Sequence, residues 1–135
     1  MDIRALHKIT YGLFLLVSQQ DGKDNASIIN TAVQVAEKPN RIIISVIKDT
    51  LTCQMILSSG KFNICALTKD TEFDFFKHFG MQSGRDTDKF EDAKNFKRSA
   101  NGLYYLKQHS NMYISAEVLE KIDLGDHVLF IAQVS

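Results

Sequence analysis

The stretch NASIINTAVQVAEKPNRIIISVIKDTLTCQM, from Asn25 to Met55, constrains the fold more than any other part of the chain. Two apolar, β-rich runs meet at Pro39, the one proline in 135 residues, and the second runs straight into the start of a helix. A proline donates no ladder hydrogen bond, so it belongs between strands rather than within one. The first run, Asn25 to Val35, reads as one strand fed by a hairpin turn at Asp21-Gly22-Lys23, where glycine tolerates positive φ. The second, Arg41 to Lys48, is a near-continuous apolar run of the kind covered on both faces. Asp49 or Thr50 can cap the helix that follows, Leu51 and Met55 share its inner face, and Gly60 stops it.

Around this stretch the chain alternates short strands with few helices. Asp2 to Lys8 reads as a short helix with Asp2 at its N-cap, and Thr10 to Gln20 as a largely buried strand. Lys61 to Asp70 is another strand, and Thr71-Glu72-Phe73-Asp74 has the spacing of a capping box opening a second helix. That helix carries Phe73, Phe75, Phe76 and Phe79, too many for one narrow stripe. It is either buried on two sides or turns aromatic surface toward another chain. Residues Met81 to Ala100 are polar and aperiodic, the pattern of a loop that is either functional or disordered. GLYYLKQ, NMYISAEVLEKIDLG and HVLFIAQV then alternate as three more strands. Six or seven strands this short point to a closed or nearly closed antiparallel barrel with helical plugs.

Composition narrows the function classes. Sixteen basic residues balance sixteen acidic ones, which leaves no basic excess for a nucleic acid. The longest apolar run, near Leu13 to Val17, is far too short to span a bilayer. No basic-then-apolar leader follows Met1, so a cytoplasmic protein is expected, with Cys53 and Cys65 as buried small hydrophobes rather than a disulfide. Length is that of one domain, residues 1–135. No zinc spacing, GxSxG elbow, GxGxxG or P-loop is present.

The chemistry gathers at the strand-to-helix junction. Ser45, Lys48, Thr50 and Thr52 bring hydroxyls and a positive charge to a helix N-terminus, whose free N–H groups and dipole favour phosphate. Asn30, Thr31 and Gln34, among small and apolar residues, suit the planar, polar-edged body of a cofactor. Ser83-Gly84-Arg85 reads as a solvated glycine turn with Lys89 close behind. His127 either closes a strand end through a hydrogen bond or reaches a cofactor. His7, His78 and His109 are given no role.

At these motifs the chain resembles the flavin reductase-like family, the FMN-binding split barrels, in particular the branch of flavoredoxins and the flavin domain of high molecular weight rubredoxins. DIRALHKITYGLFLLVS, INTAVQV, SVIKDTLT, FGMQSGRDTDKF and GDHVLFIAQV carry the likeness, in the family's order over nearly the whole chain. The resemblance implies a mainly β fold, a split antiparallel barrel of Greek-key type with a few short helices. It implies Asn30, Thr31, Ala32 and Gln34 along the isoalloxazine ring, and Ser45, Lys48, Thr50 and Thr52 at the FMN phosphate and ribityl end. Ser83, Gly84, Arg85 and Lys89 would close over the flavin, and His127 would sit near the ring or the nicotinamide entry as the catalytic-site residue.

The implied activity is transfer of a hydride from NADH or NADPH to FMN, with electrons passed to free flavin, a rubredoxin-like partner or another acceptor. The implied assembly is a homodimer with FMN at the interface. A non-enzymatic FMN carrier, or a split barrel holding haem or another ligand, are the alternatives. Three departures stand out: Cys53-Gln54 follows the phosphate threonine where an aromatic or histidine is common, Ala36 replaces a serine or threonine, and the family's closing tail is missing after Ser135. The last leads us to expect either a domain lacking its tail or a piece of a longer chain.

Overall fold

A computed structural model describes residues 2–68, 71, 73–85, 87–90, 95–107 and 110–135. After a 3-10 helix, Ile3–Lys8, capped by the Asp2 carboxylate on the Arg4 N–H, the chain enters β1, Phe14–Gln20. Asp21 and Gly22 both take positive φ, the conformation that turns β1 tightly into β2, Lys23–Ile29. The expected Asn25–Val35 strand is in fact two. It breaks at Asn30-Thr31, and β3, Ala32–Glu37, begins afresh before turning through Lys38-Pro39 into β4, Asn40–Ile47. Helix α1, Leu51–Ser59, is capped by Thr50, whose Oγ1 accepts from the Cys53 N–H, and ends at Gly60 with φ of 73°.

Strand β5, Lys61–Leu67, is followed by α2, Phe73–Gly80. Of the proposed capping box, Glu72 lies outside the described residues, as do Lys69 and Asp70 at the end of the expected strand. The segment read as one long loop contains β6, Phe96–Arg98, a three-residue strand too short to show a period. It pairs with β7, Tyr104–Leu106. Then come β8, Ser110–Asp123, and β9, His127–Val134.

Seven strands form one antiparallel sheet in the order β2-β1-β5-β8-β9-β4-β3. Its edge strands, β2 and β3, would lie roughly 29 Å apart in a flat sheet of this size. Only Asn30-Thr31 joins Ile29 to Ala32, and that link spans at most about 11 Å. The sheet must therefore curl until its edges face each other. Since no ladder links β2 to β3 among the described residues, the barrel is split along that seam. Strand β8 supports the curl: its first half pairs β5, its second half pairs β9, and the register slips between Val118 and Glu120.

Side chains divide into two cores. Leu16, Ile44, Phe62, Ile64 and Phe130 fill the barrel, plugged at one end by Cys53 and Ile56 of α1. Each fully buried side chain of this size stabilises the fold by roughly 1.5–3 kcal/mol. On the outer face of β1, β2 and β5, Leu15, Val17, Ala26 and Cys65 pack against Phe79, Phe90, Leu103 and Leu106. Phe79 of α2 is buried and Phe75 and Phe76 half-buried, so three of the four phenylalanines are covered within their own chain; Phe73 is left exposed. Strand β4 alternates: Ile42, Ile44 and Val46 face the barrel, while Ile43 and Ile47 face outward instead of lying under a second layer. Cys53 and Cys65 are both buried free thiols, and burial pushes both pKa values up.

Asn63 joins the outer layer to the barrel. Fully buried, it donates from Nδ2 to the Ser99 hydroxyl and to the Leu103 and Tyr104 carbonyls, and accepts at Oδ1 from Asn101 and Ser115. Asn63→Ala strands several of these groups at once and should destabilise the fold by about 2–3 kcal/mol. The urea unfolding midpoint measures this; an unchanged midpoint would remove Asn63 as the link between the layers.

Candidate functional site: two adjoining clefts at the N-terminus of helix α1

The β4–α1 junction places the helix start against β2 and the segment that follows α2. A cleft of about 330 Å³ opens there. Thr50 and Thr52 line it from α1, and Ser83, Gly84, Arg85 and Lys89 from the far wall. These six sequence-predicted residues, 30 to 40 positions apart in the chain, therefore meet around one space. The first N–H groups of a helix have no intrahelical partner. Those of Leu51 and Thr52 start α1 at this cleft, and its first turn holds no acidic residue, although Asp49 just ahead also lines the space. Arg85 adds an exposed cation, and its N–H donates to the Ser83 hydroxyl at 3.1 Å.

Not every predicted side chain is free for a ligand. Thr50 Oγ1 is used in the cap and donates to the Ile47 carbonyl at 2.8 Å. Thr52 is buried, and its Oγ1 accepts from Asn25 Nδ2 at 2.9 Å. Lys89 is buried, with Nζ donating to the Ala26 and Phe79 carbonyls at 2.8 Å each. The loop wall is pinned from β2: Lys23 Nζ donates to the Gly84 carbonyl at 2.6 Å. Gly84 itself lies so close to Asn25 that an added Cβ would stand 2.2 Å from Asn25 Oδ1. That oxygen is the one buried side-chain polar atom without a hydrogen-bond partner among the described residues.

A second cleft, of about 240 Å³, gathers Asn30, Ser45 and His127 with Leu13, Ile28, Ile29 and Ile47. The clefts lie side by side: Thr50, which lines the first, donates its hydroxyl to the carbonyl of Ile47, which lines the second, at 2.8 Å. The His127 Nδ1 lies 2.8 Å from Asp126 Oδ1, and this hydrogen bond holds the Asp126 carboxyl below the usual carboxylate range. Apolar walls with Asn30 and Ser45 among them fit a flat heteroaromatic body with a polar edge, and the helix start next door fits a phosphate. The donor set thus matches a flavin nucleotide.

The remaining predicted residues line neither cleft. Thr31 Oγ1 donates to Asn30 Oδ1, Ala32 packs toward the barrel, and Gln34 Nε2 bonds to the Ala36 carbonyl and Asn40 Oδ1 on the exposed side of β3. Lys48 forms an ion pair with Asp123, the last residue of β8. Sequence reasoning missed Asn25, Lys23 and Asp123. Asn25 had a readable signal, a polar side chain at the head of an apolar strand, whereas Asp123 is met only through the β4–β9–β8 pairing.

Fold and site together define a flavin-binding split barrel. The sequence matches the Flavin reductase like domain over residues 6–135, and the chain belongs to that family. It is 35% identical over its whole length to high molecular weight rubredoxin of Moorella thermoacetica, spanning 58% of that protein. It is 32% identical over 98% of its length to ferric-chelate reductase (NAD(P)H) of Archaeoglobus fulgidus, spanning 78% of it. Among solved structures, the NADH:FAD oxidoreductase of Streptomyces globisporus superposes with a TM-score of 0.85 at 18% identity, over 97% of this chain and 76% of that one.

Gly84→Ala forces the Ser83–Arg85 wall away from Asn25. It should cost on the order of 1–3 kcal/mol, the usual scale for overpacking a tight contact. Guanidinium unfolding reads this, and an unaltered midpoint would mean that the wall is not held against β2.

Proposed function

We propose that this chain is an FMN-dependent NAD(P)H oxidoreductase that passes electrons to free flavin, to a rubredoxin-like protein or to another acceptor. The observation that carries the reading is the convergence of Thr50, Thr52, Ser83, Gly84, Arg85 and Lys89 on the start of α1, beside an apolar cleft holding Asn30, Ser45 and His127. The helix N–H groups and Arg85 hold the phosphate. Asn30 and Ser45 address the polar edge of the ring, and His127, steadied by Asp126, bounds the side from which a nicotinamide approaches. FMN, when bound, supplies the two-electron chemistry; the chain supplies alignment and charge. The names of the ferric-chelate and rubredoxin relatives support both the donor and the acceptor class.

The assembly we propose is a homodimer with flavin at its interface, working in the cytoplasm, where the two thiols stay reduced. No helix among the described residues is long and apolar enough to cross a membrane. The outward row Val33–Ile43–Ile131 crosses three paired strands, with Ile47, Ile122 and Leu124 exposed nearby. An apolar sheet face of this kind marks a protein interface. Light scattering that reads 15.3 kDa at micromolar concentration would rule the dimer out.

Purified protein should show a flavin spectrum after incubation with FMN and desalting, and anaerobic NADH or NADPH should bleach it. A spectrum that stays yellow with both donors identifies a carrier reduced by another protein. The absence of any flavin band removes the reading. Lys48 must leave Asp123 to reach a phosphate. Lys48→Ala should weaken FMN binding by on the order of 1–3 kcal/mol, the scale of a lost charged hydrogen bond. Asp123→Asn, which frees the lysine, should tighten it. Equal affinity in both variants and the parent would place Lys48 outside the site.

A further inference from the structure

The phosphate site proposed above contains a buried lysine whose hydrogen bonding changes with its charge, and the present inference rests on that site. Lys89 is 5% exposed, and its Nζ donates to the Ala26 carbonyl of β2 and the Phe79 carbonyl of α2. A neutral amine carries two N–H groups and an ammonium three. The two carbonyls therefore use all that the neutral form can donate, and the third proton exists only in the charged form. No further partner of Nζ occurs among the described residues, and Lys89 lines the same cleft as the start of α1.

Among the described residues no carboxylate is bonded to that ammonium. From β2 come Lys23, bound to the Gly84 carbonyl, and Asp24, bound to Arg98 and Gln19. Asp49 lines the cleft ahead of α1. His78 of α2 spends Nε2 on the Lys89 carbonyl, Arg85 adds a like charge, and Asp88 accepts from the Phe90 N–H. Burial accordingly lowers the Lys89 pKa from 10.5 to about 8.

We propose that Lys89 is the proton-linked element of the anion site: a phosphate monoester in the cleft recruits the third N–H, so that its binding draws one proton from solvent in mildly alkaline solution. The fold does not suffer the same loss. Because burial favours the neutral amine, the folded chain holds fewer protons than the unfolded one between about pH 8 and 10.5, and this lysine makes the fold more stable as pH rises through that window. A fall in affinity there belongs to the site.

The test is the affinity of FMN from pH 7 to 9.5, with riboflavin, which lacks the phosphate, in parallel. The phosphate's second pKa is about 6, so it is already a dianion throughout. FMN affinity should fall above pH 8 with a slope approaching about tenfold per pH unit, while riboflavin affinity stays level. Calorimetry at pH 8.5 in two buffers of different ionisation enthalpy should show proton uptake with FMN alone. Lys89→Arg, charged at every pH used, should lose the slope, and Lys89→Met should bind FMN weakly at pH 7 and also without slope. Level FMN affinity and no proton uptake in the parent protein overturn the proposal whether or not the variants fold. So does a parental slope that persists in Lys89→Arg. Folded protein that binds no FMN even at pH 7 would instead remove the phosphate site itself, and the coupling with it.

Discussion

Ile29 and Ala32 stand at opposite edges of a seven-stranded sheet with only two residues between them in the chain. Everything else in the architecture accommodates that tether. The sheet curls, β8 slips register so that it can serve two neighbours, and α1 drops into the open end as a plug. The same tether creates the site. By drawing β2 beside the β4–α1 junction, it places Asn25 and Ser27 of one strand against the start of a helix that follows another. The second cleft opens where the end of β2 and Asn30 come against Ser45 and Ile47 of β4 and His127 of β9.

Strand β2 then acts a second time, as the strip to which the loop after α2 is fastened. Lys23 holds the Gly84 carbonyl, Asn25 lies against the Gly84 Cα while binding Thr52, and the Ala26 carbonyl takes Lys89. Three handles within four residues connect both walls of the cleft at the start of α1 through one strand. Asn25 is left with an unpaired oxygen for this arrangement, a desolvation cost accepted where the geometry of a binding wall matters more than local satisfaction.

The fold class was legible because β-branched runs with a period of two, broken by Asp21-Gly22, Pro39 and Gly60, leave few alternatives to a barrel. The break at Asn30-Thr31 was not, since one turn-favouring Asn with β-branched and apolar residues on both sides is a weak signal by itself; the bend comes from closure, a property of the whole sheet. The helix cap at Thr50 could be read from local chemistry, and with it the place of the cleft that Thr50 and Thr52 line. Lys89 was legible as a loop cation but not as a buried one. Its partners are backbone carbonyls from positions 26 and 79, and carbonyls are the same in every residue. Arg41 to Lys48 looked doubly covered because an apolar run looks alike whether its second face meets its own chain or none.

The division into two cores has a consequence for motion. Leu16 points into the barrel while Leu15 and Val17 point into the outer cluster, and β5 divides Phe62 and Ile64 from Cys65 in the same way. The amides of β1 and β5 are therefore shielded by two independent apolar layers, and solvent reaches them only when both have opened. The outer layer of α2, β6 and β7 rests on one. Amide exchange should consequently follow a hierarchy: the wall built by residues 79–85 and 87–90 breathes within an intact barrel, and β1 and β5 exchange last, with global unfolding. Such a molecule can loosen one side of its cleft and still keep the other rigid.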